Sequence, residues 1–266
     1  MRDYKGYLID LDGTMYRGTE AIAGAAEFIN ELHLKEIPYL FVTNNSSKTP
    51  EDVANKLNAM EIKAAANQIV TSATATANYI KSIKEKASCF VIGEKGLLEA
   101  LEASGMIITD TECDFVVMGI DRQITYEKYT KACLAIRNGA KLIATNGDVA
   151  IPTERGLLPG NGALVSVVSV STGENPLFIG KPESIIMEEA LKLLGLTREE
   201  TLMVGDNYQT DISAGIRAGI DTLMVFTGVT PFEDLVSLEI PPTYYVHQLT
   251  EWLIKFRKEA ETKGFF

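Results

Sequence analysis

Cysteine is scarce in this chain, with Cys89, Cys113 and Cys133 the whole set. They form no CxxC pair and have no close histidine partner, which excludes a disulfide framework and a zinc site of the usual spacing. They are expected to be small core residues in a reducing cytoplasm. Histidine is rarer still: His33 and His247 each stand in an ordinary helix or strand-edge context, and neither is assigned a role. Positive charge is outnumbered, 25 Lys and Arg against 36 Asp and Glu, and the net charge of −11 argues against a broad nucleic-acid-binding face. A local basic spot can still hold one phosphate. No apolar run reaches the roughly 18 residues needed to span a bilayer, and Arg2 and Lys5 lead straight into a short strand-like run. Neither export nor membrane insertion is expected. Internal repeats and low-complexity tracts are also missing.

What is present is 266 residues with 46% apolar content, enough for one large domain or two modest ones with a core that needs no staples. The stretch Tyr7-Leu8-Ile9-Asp10-Leu11-Asp12-Gly13-Thr14-Met15-Tyr16 organises the rest. A buried strand there delivers two carboxylates to its C-terminal edge, where ligands bind in open α/β sheets. Residues i and i+2 of a strand share a face, so Asp10 and Asp12 are expected to point at one small volume, reconciled by a cation or a shared proton. An aspartate-rich strand end with a glycine turn would carry the same letters.

Apolar positions at Ala25, Phe28, Ile29 and Leu32 predict a helix over 24–35, and Pro38 precedes the next buried strand, Tyr39 to Val42. That strand ends in Thr43-Asn44-Asn45-Ser46-Ser47 before a helix start at Thr49-Pro50. Thr43 and Asn44, directly at the strand end, are candidates for oxyanion binding, whereas Ser46, Ser47 and Thr49 are expected to be helix caps. A fresh α/β pattern follows the helix expected over 73–84. It has strands at 88–93, 115–119 and 141–146, helices at 95–103 and 126–138, and the size of a separate module. Within it, residues 152–162 are the longest run of turn formers and are expected to be a loop before an apolar helix over 163–170. From Leu177 the first pattern resumes. Lys181-Pro182 stands at a strand end with Pro182 suited to the first position of a helix, and the strand 201–205 ends in Asp206-Asn207 with Asp211 beyond. Further strands are expected at 221–226 and 243–246. In the closing helix around 249–256, Trp252 is expected to pack, Lys255, Arg257 and Lys258 to form a solvated face suited to a helix C-terminus, and the tail 264–266 to fray.

Four strand ends thus carry polar groups, and a parallel sheet would gather them at one edge. Carboxylates, a hydroxyl with amides, and one lysine are what metal-assisted phosphoryl transfer needs. In this order, Asp10-Leu-Asp12-Gly-Thr14, Thr43-Asn44, Lys181-Pro182 and Gly205-Asp206 with Asp211 resemble the four motifs of the haloacid dehalogenase superfamily. The fuller strings, from Leu-Ile-Asp-Leu-Asp-Gly-Thr-Met-Tyr-Arg-Gly to Val-Gly-Asp-Asn, resemble its NagD-like, p-nitrophenylphosphatase branch over essentially the whole chain.

The resemblance implies a Rossmann-like, doubly wound parallel-sheet core with an inserted α/β cap of the C2 type. The expected division is core over 1–78, cap over 79–179 and core over 180–266. It implies a cytoplasmic Mg²⁺-dependent phosphatase acting on a small phosphorylated metabolite, monomeric or homodimeric, with neither nucleic acid nor membrane as partner. Asp10 would be the nucleophile, forming an aspartyl-phosphate, and Asp12 the general acid and base. Thr43, the Asn44 backbone and Lys181 would bind phosphate. The metal would be held by Asp10, the Asp12 carbonyl and Asp206, with Asp211 orienting its waters. Selectivity is expected in the cap, at Asn146, Asp148 and Gly160, although Gly147 stands where the family shows proline or a bulkier residue. Two alternatives are a phosphotransferase using the same intermediate and a non-catalytic phosphometabolite-binding protein.

Overall fold

The computed structural model describes residues 2–153 and 155–262, with only the backbone described for 258–262. The chain opens with β1 (Gly6–Ile9), the short hairpin β2 (Tyr16–Arg17) and β3 (Glu20–Ala21), α1 (Ala25–Leu34), β4 (Tyr39–Thr43), α2 (Pro50–Asn58), β5 (Ile69–Thr71) and α3 (Ser72–Ile83). Next come β6 (Ser88–Ile92), α4 (Lys95–Ala103), β7 (Ile107–Ile108), β8 (Phe115–Met118), α5 (Tyr126–Arg137), β9 (Lys141–Ala144), β10 (Ala150–Thr153), β11 (Gly156–Pro159), α6 (Asn161–Thr172) and β12 (Leu177–Phe178). The remainder is α7 (Ser184–Leu194), β13 (Thr201–Gly205), α8 (Ser213–Ala218), β14 (Asp221–Val225), β15 (Tyr244–Val246) and α9 (Leu249–Thr262).

Two compact units emerge, one of Met1–Val42, Val53–Ile69 and Ala190–Phe266, the other of Thr43–Asp52 and Val70–Glu189. The first is built on a sheet of order β15-β14-β13-β1-β4-β5. From β1 the chain winds outward through β4 and β5, then returns to the other side for β13, β14 and β15. This is the doubly wound order, whose direction reverses beside the first strand and leaves a crevice there. β1 and β13 run parallel with Ile9 opposite Val204, so residues 10 and 206 emerge together at the carboxyl edge. Strands such as β1, β4 and β13 are buried throughout, as continuous apolar runs require when helices cover both faces. Tyr7, Ile9, Phe28, Phe41, Val204 and Trp252 anchor this core.

The second unit holds a parallel sheet of order β12-β9-β8-β6-β7, with Phe90, Val116, Met118, Leu142 and Val165 in its core. Cys89 and Cys133 are buried and Cys113 is half-buried, all three as free thiols, and burial pushes the Cys89 thiol up to about 12.

Several expectations need correction. Residues 152–162 are no simple loop: β10 and β11 pair antiparallel from Ala150 opposite Pro159 to Thr153 opposite Gly156. Thr153 Oγ1 donates to Gly156 O at 2.8 Å, and Gly156 takes φ 109°, which closes the turn. Pro152 is tolerated because a two-stranded ribbon is all edge. The following helix starts at Asn161, earlier than its apolar run suggested. Pro182 is not in a helix: the Lys181–Pro182 peptide is cis, and α7 begins at Ser184. Of the expected caps, Thr49 serves α2, exchanging bonds with Asp52 at 3.1 and 3.3 Å, whereas Ser46 Oγ instead accepts from Ile120 N–H. Because α9 runs on to Thr262, Lys255 and Arg257 lie within the helix. Both are exposed, as a solvated face requires, and Arg257 pairs there with Glu31 at 2.8 Å. The Lys258 side chain and the tail 264–266 lie outside the described residues.

Candidate active site

The first unit gathers three of the expected carboxylates. Asp10, Asp206 and Asp211 are all buried, and one oxygen from each lies within 4.8 Å of the others. Asp10 follows β1 directly, its N–H donating to Val204 O at 2.9 Å. Asp206 follows β13 and is held from two sides: Thr14 Oγ1 donates to its Oδ1 at 3.0 Å and Val229 N–H to its Oδ2 at 2.7 Å. Two glycines make room for that carboxylate. A Cβ on Gly13, which adopts φ 91°, or on Gly228 would overlap the Asp206 side chain. Asp211 lies in a π-helical turn, Tyr208–Ile212, and its Oδ2 accepts from the Asp206 and Asn207 N–H groups at 3.2 and 3.0 Å. Widened turns of this kind are common at functional sites because they re-aim one side chain.

Three buried carboxylates at this spacing repel. At about 4 Å each pair costs on the order of 4 kcal/mol even at an effective dielectric of 20. A cation or bound protons must offset that repulsion, and an all-oxygen donor set suits a hard divalent ion such as Mg²⁺. The residues therefore fit the metal.

Asp12 is placed differently. β1 ends at Ile9, so strand alternation does not extend to residues 10–12, and Asp12 is exposed where Asp10 is buried. Its carboxylate stands outside the triad. Instead it accepts a hydrogen bond from the buried Tyr16 phenol at 3.1 Å. Burial, followed by the Asp12 charge, that hydrogen bond and the Asp10 charge, pushes the Tyr16 phenol above its ordinary range.

The second unit gathers the other candidates. Thr43 is the buried last residue of β4, and its hydroxyl accepts from Asn45 N–H at 3.1 Å. Asn44 spans the main chain of Lys181: its Oδ1 accepts from Lys181 N–H at 2.8 Å and its Nδ2 donates to Lys181 O at 2.9 Å. The same Nδ2 meets the Asp148 carboxylate at 3.1 and 3.3 Å. Lys181 is only 2% exposed. Asn146 is buried too, with Nδ2 donating to Asn44 O at 2.8 Å and Oδ1 accepting from Asp148 N–H. Gly160 precedes α6, and a Cβ there would overlap the Asp148 carbonyl. Gly147 has ordinary clearance, its Cβ position lying 3.5 Å from the Phe178 ring.

Sequence reasoning missed the segment Thr227–Thr230. Besides Val229, it contributes Thr227 Oγ1 to Gly13 O at 2.7 Å and Thr230 Oγ1 to Tyr208 N–H at 2.9 Å, while Arg17 donates to Thr227 O. The available signal was Thr-Gly-Val-Thr immediately after a buried strand at the carboxyl edge of the sheet.

Two family models match the chain, one described as haloacid dehalogenase-like hydrolase over residues 7–107 and one as HAD-hydrolase-like over 178–252. Among curated relatives, a 5'-nucleotidase YutF of Bacillus subtilis is 59% identical over 95% of this chain and 99% of its own length. The chain belongs to the haloacid dehalogenase superfamily. An acid sugar phosphatase of Staphylococcus saprophyticus is 55% identical over 97% of the chain and all of the relative. Among solved structures, a mutant of a thermostable p-nitrophenylphosphatase of Bacillus stearothermophilus superposes with a TM-score of 0.88 at 58% identity, covering 95% of this chain and 99% of that one. Within the superfamily the chain is a hydrolase of the NagD-like, p-nitrophenylphosphatase branch. The expected α/β core with an inserted α/β module is the fold of these phosphatases.

Proposed function

We propose that this haloacid dehalogenase superfamily member is a Mg²⁺-dependent phosphatase of small phosphomonoesters, working through an aspartyl-phosphate on Asp10. The observation that carries this reading is the buried triad of Asp10, Asp206 and Asp211 beside the crevice of the doubly wound sheet. Asp10, Asp206 and Asp211, with the Asp12 carbonyl, would hold the metal. When bound, Mg²⁺ supplies the charge neutralisation that lets a carboxylate approach a phosphate.

An ionised aspartate needs no activating base. Asp10 attacks phosphorus, the P–O bond to the leaving alcohol breaks, and Asp12 delivers a proton to the departing oxygen. Asp12 then takes a proton from water, which attacks the aspartyl-phosphate, releases orthophosphate and restores Asp10. Thr43, the Asn44 N–H and Lys181 bind the phosphoryl oxygens. The reciprocal bonds between Asn44 and the Lys181 main chain support their acting together.

For the cap we assign residues 79–179, supported by a sheet whose strands all fall between Ser88 and Phe178. Its residues Asn146, Asp148 and Gly160 shape selectivity around Asn44: Asp148 bonds the Asn44 side chain, Asn146 bonds the Asn44 carbonyl, and Gly160 leaves room for the Asp148 main chain. The names of the relatives favour nucleoside monophosphates and sugar phosphates as substrates. Free, largely buried thiols agree with a cytoplasmic site of action; among the described residues, no helix is long and apolar enough to cross a membrane.

Phosphate release from a panel of phosphorylated metabolites, with Mg²⁺ and with EDTA, tests the reading. Metal-dependent turnover is expected, highest for one of these two classes. Tight binding of a phosphorylated metabolite with no release from any member would overturn it.

A further inference from the structure

The exposed carboxylate of Asp12 is flanked by the buried ring of Tyr16. Tyr16 is only 4% exposed and belongs to the hydrophobic core with Leu11, Met15 and Phe28. Its backbone is fixed three times: Gly13 N–H donates to Tyr16 O at 2.8 Å, Tyr16 N–H donates to Leu11 O at 3.3 Å, and Tyr16 pairs with Ala21 across the β2–β3 hairpin. Residues 12 and 16 also form an isolated bridge. The Lys56 ammonium lies 3.7 Å from the centroid of the ring. A cation over an aromatic face is attracted to it and restrains its motion. From this fixed ring the phenol donates to Asp12 Oδ2 at 3.1 Å.

We propose that Tyr16 is a positioning residue for Asp12, its phenol fixing the orientation in which that carboxylate gives and takes protons. The inference rests on the assignment of Asp12 as general acid and base. An exposed aspartate otherwise samples several staggered rotamers, and proton transfer requires hydrogen-bond reach of the leaving oxygen. One hydrogen bond from a buried ring selects among those rotamers without adding a group that touches the substrate. Phenylalanine at this position would keep the core packing and the ring beneath Lys56, and would lose only the tether.

Leaving-group dependence separates positioning from general damage. An alkyl alkoxide cannot depart without a proton, whereas p-nitrophenolate departs readily without one. The quantity to read is kcat/KM, which reports through alcohol release, for alkyl phosphates against p-nitrophenyl phosphate in the full-length enzyme with Mg²⁺. For Tyr16→Phe, the value for alkyl phosphates is expected to fall about tenfold further than that for p-nitrophenyl phosphate, a part of the full worth of general acid catalysis. Asp12→Asn, assayed alongside, should show the same discrimination more strongly. An equal loss on both substrate types in Tyr16→Phe, or no loss on either, would overturn the proposal while discrimination in Asp12→Asn left the Asp12 assignment standing. Lack of discrimination in Asp12→Asn would remove that assignment and the proposal with it.

Discussion

Asp206 has almost no room to move. Thr14 and Val229 each bond one of its oxygens, and two glycines back its carboxylate at positions where any β-carbon would overlap it. Gly228→Ala should therefore push the carboxylate out of place and weaken Mg²⁺ binding by about tenfold or more, the scale on which disturbed outer-shell support lowers metal affinity. Isothermal titration of Mg²⁺ into the variant checks this; unchanged affinity would show that the segment Thr227–Thr230 merely passes by. Asp10→Asn is isosteric but cannot attack phosphorus. Turnover of p-nitrophenyl phosphate should fall by about a thousandfold or more while the circular dichroism spectrum stays that of the parent. Cys89 is a third test at this scale: a buried thiol with its pKa raised to about 12 is essentially all protonated at neutral pH. Alkylation of Cys89 in the native protein should be slow until denaturant is added, as peptide mass spectrometry would follow.

Among elements, the junction of α3 and β6 carries a defined pH dependence. Asp114 accepts from Lys84 Nζ at 2.7 Å and from Ser88 N–H and Oγ at 2.9 Å each. The Lys84 ammonium, then the Ser88 N–H, hold its carboxyl down at about 2, against an ordinary 3.8. A folded-state pKa below the unfolded one stabilises the fold above the unfolded value, and the gain is lost as pH falls through the folded value. Asp114→Asn should lower Tm at neutral pH, and the gap from the parent should close between about pH 4 and pH 2. Because Lys84 and Asp114 are both partly exposed, the effect should be small and shrink with added salt.

The elements also explain how far the sequence could be read. Asp10, Thr43 and Asp206 were legible because each ends a buried apolar run, a pattern set by burial and strand length alone, and Lys181 because it follows a short apolar stretch, although the strand there is partly exposed. The π-helical turn that aims Asp211 was not, since its extra residue leaves no mark in apolar spacing. The hairpin of β10 and β11 read as a loop because turn formers dominate it and its strands are mostly exposed. Val229 was invisible for a different reason: it acts through its backbone N–H, which every residue but proline has. Asp12 illustrates the limit of local geometry, because the strand stops at Ile9 and the i, i+2 rule has no strand left to act on.

For the whole molecule, the candidate residues fall into two units. One holds the buried carboxylates Asp10, Asp206 and Asp211, and the other holds Thr43, Asn44 and Lys181 with Asn146 and Asp148. The net charge of −11 fits a partner drawn in by a local site rather than by a broad field. Selectivity should then respond to the cap without loss of the chemistry. Asp148→Ala, which removes one partner of Asn44, should alter the ranking of metabolites in the phosphate-release panel more than it alters the rate with p-nitrophenyl phosphate.

The covalent step proposed on Asp10 can be caught directly. Enzyme turning over p-nitrophenyl phosphate with Mg²⁺ is quenched in acid, treated with borohydride, which reduces an acyl phosphate to an alcohol, and digested for mass spectrometry. The reduced side chain is expected at position 10 alone, and is expected to be lost when EDTA is present or when substrate is withheld. Sustained phosphate release with residue 10 unmodified, or with the modification at another residue, would contradict it.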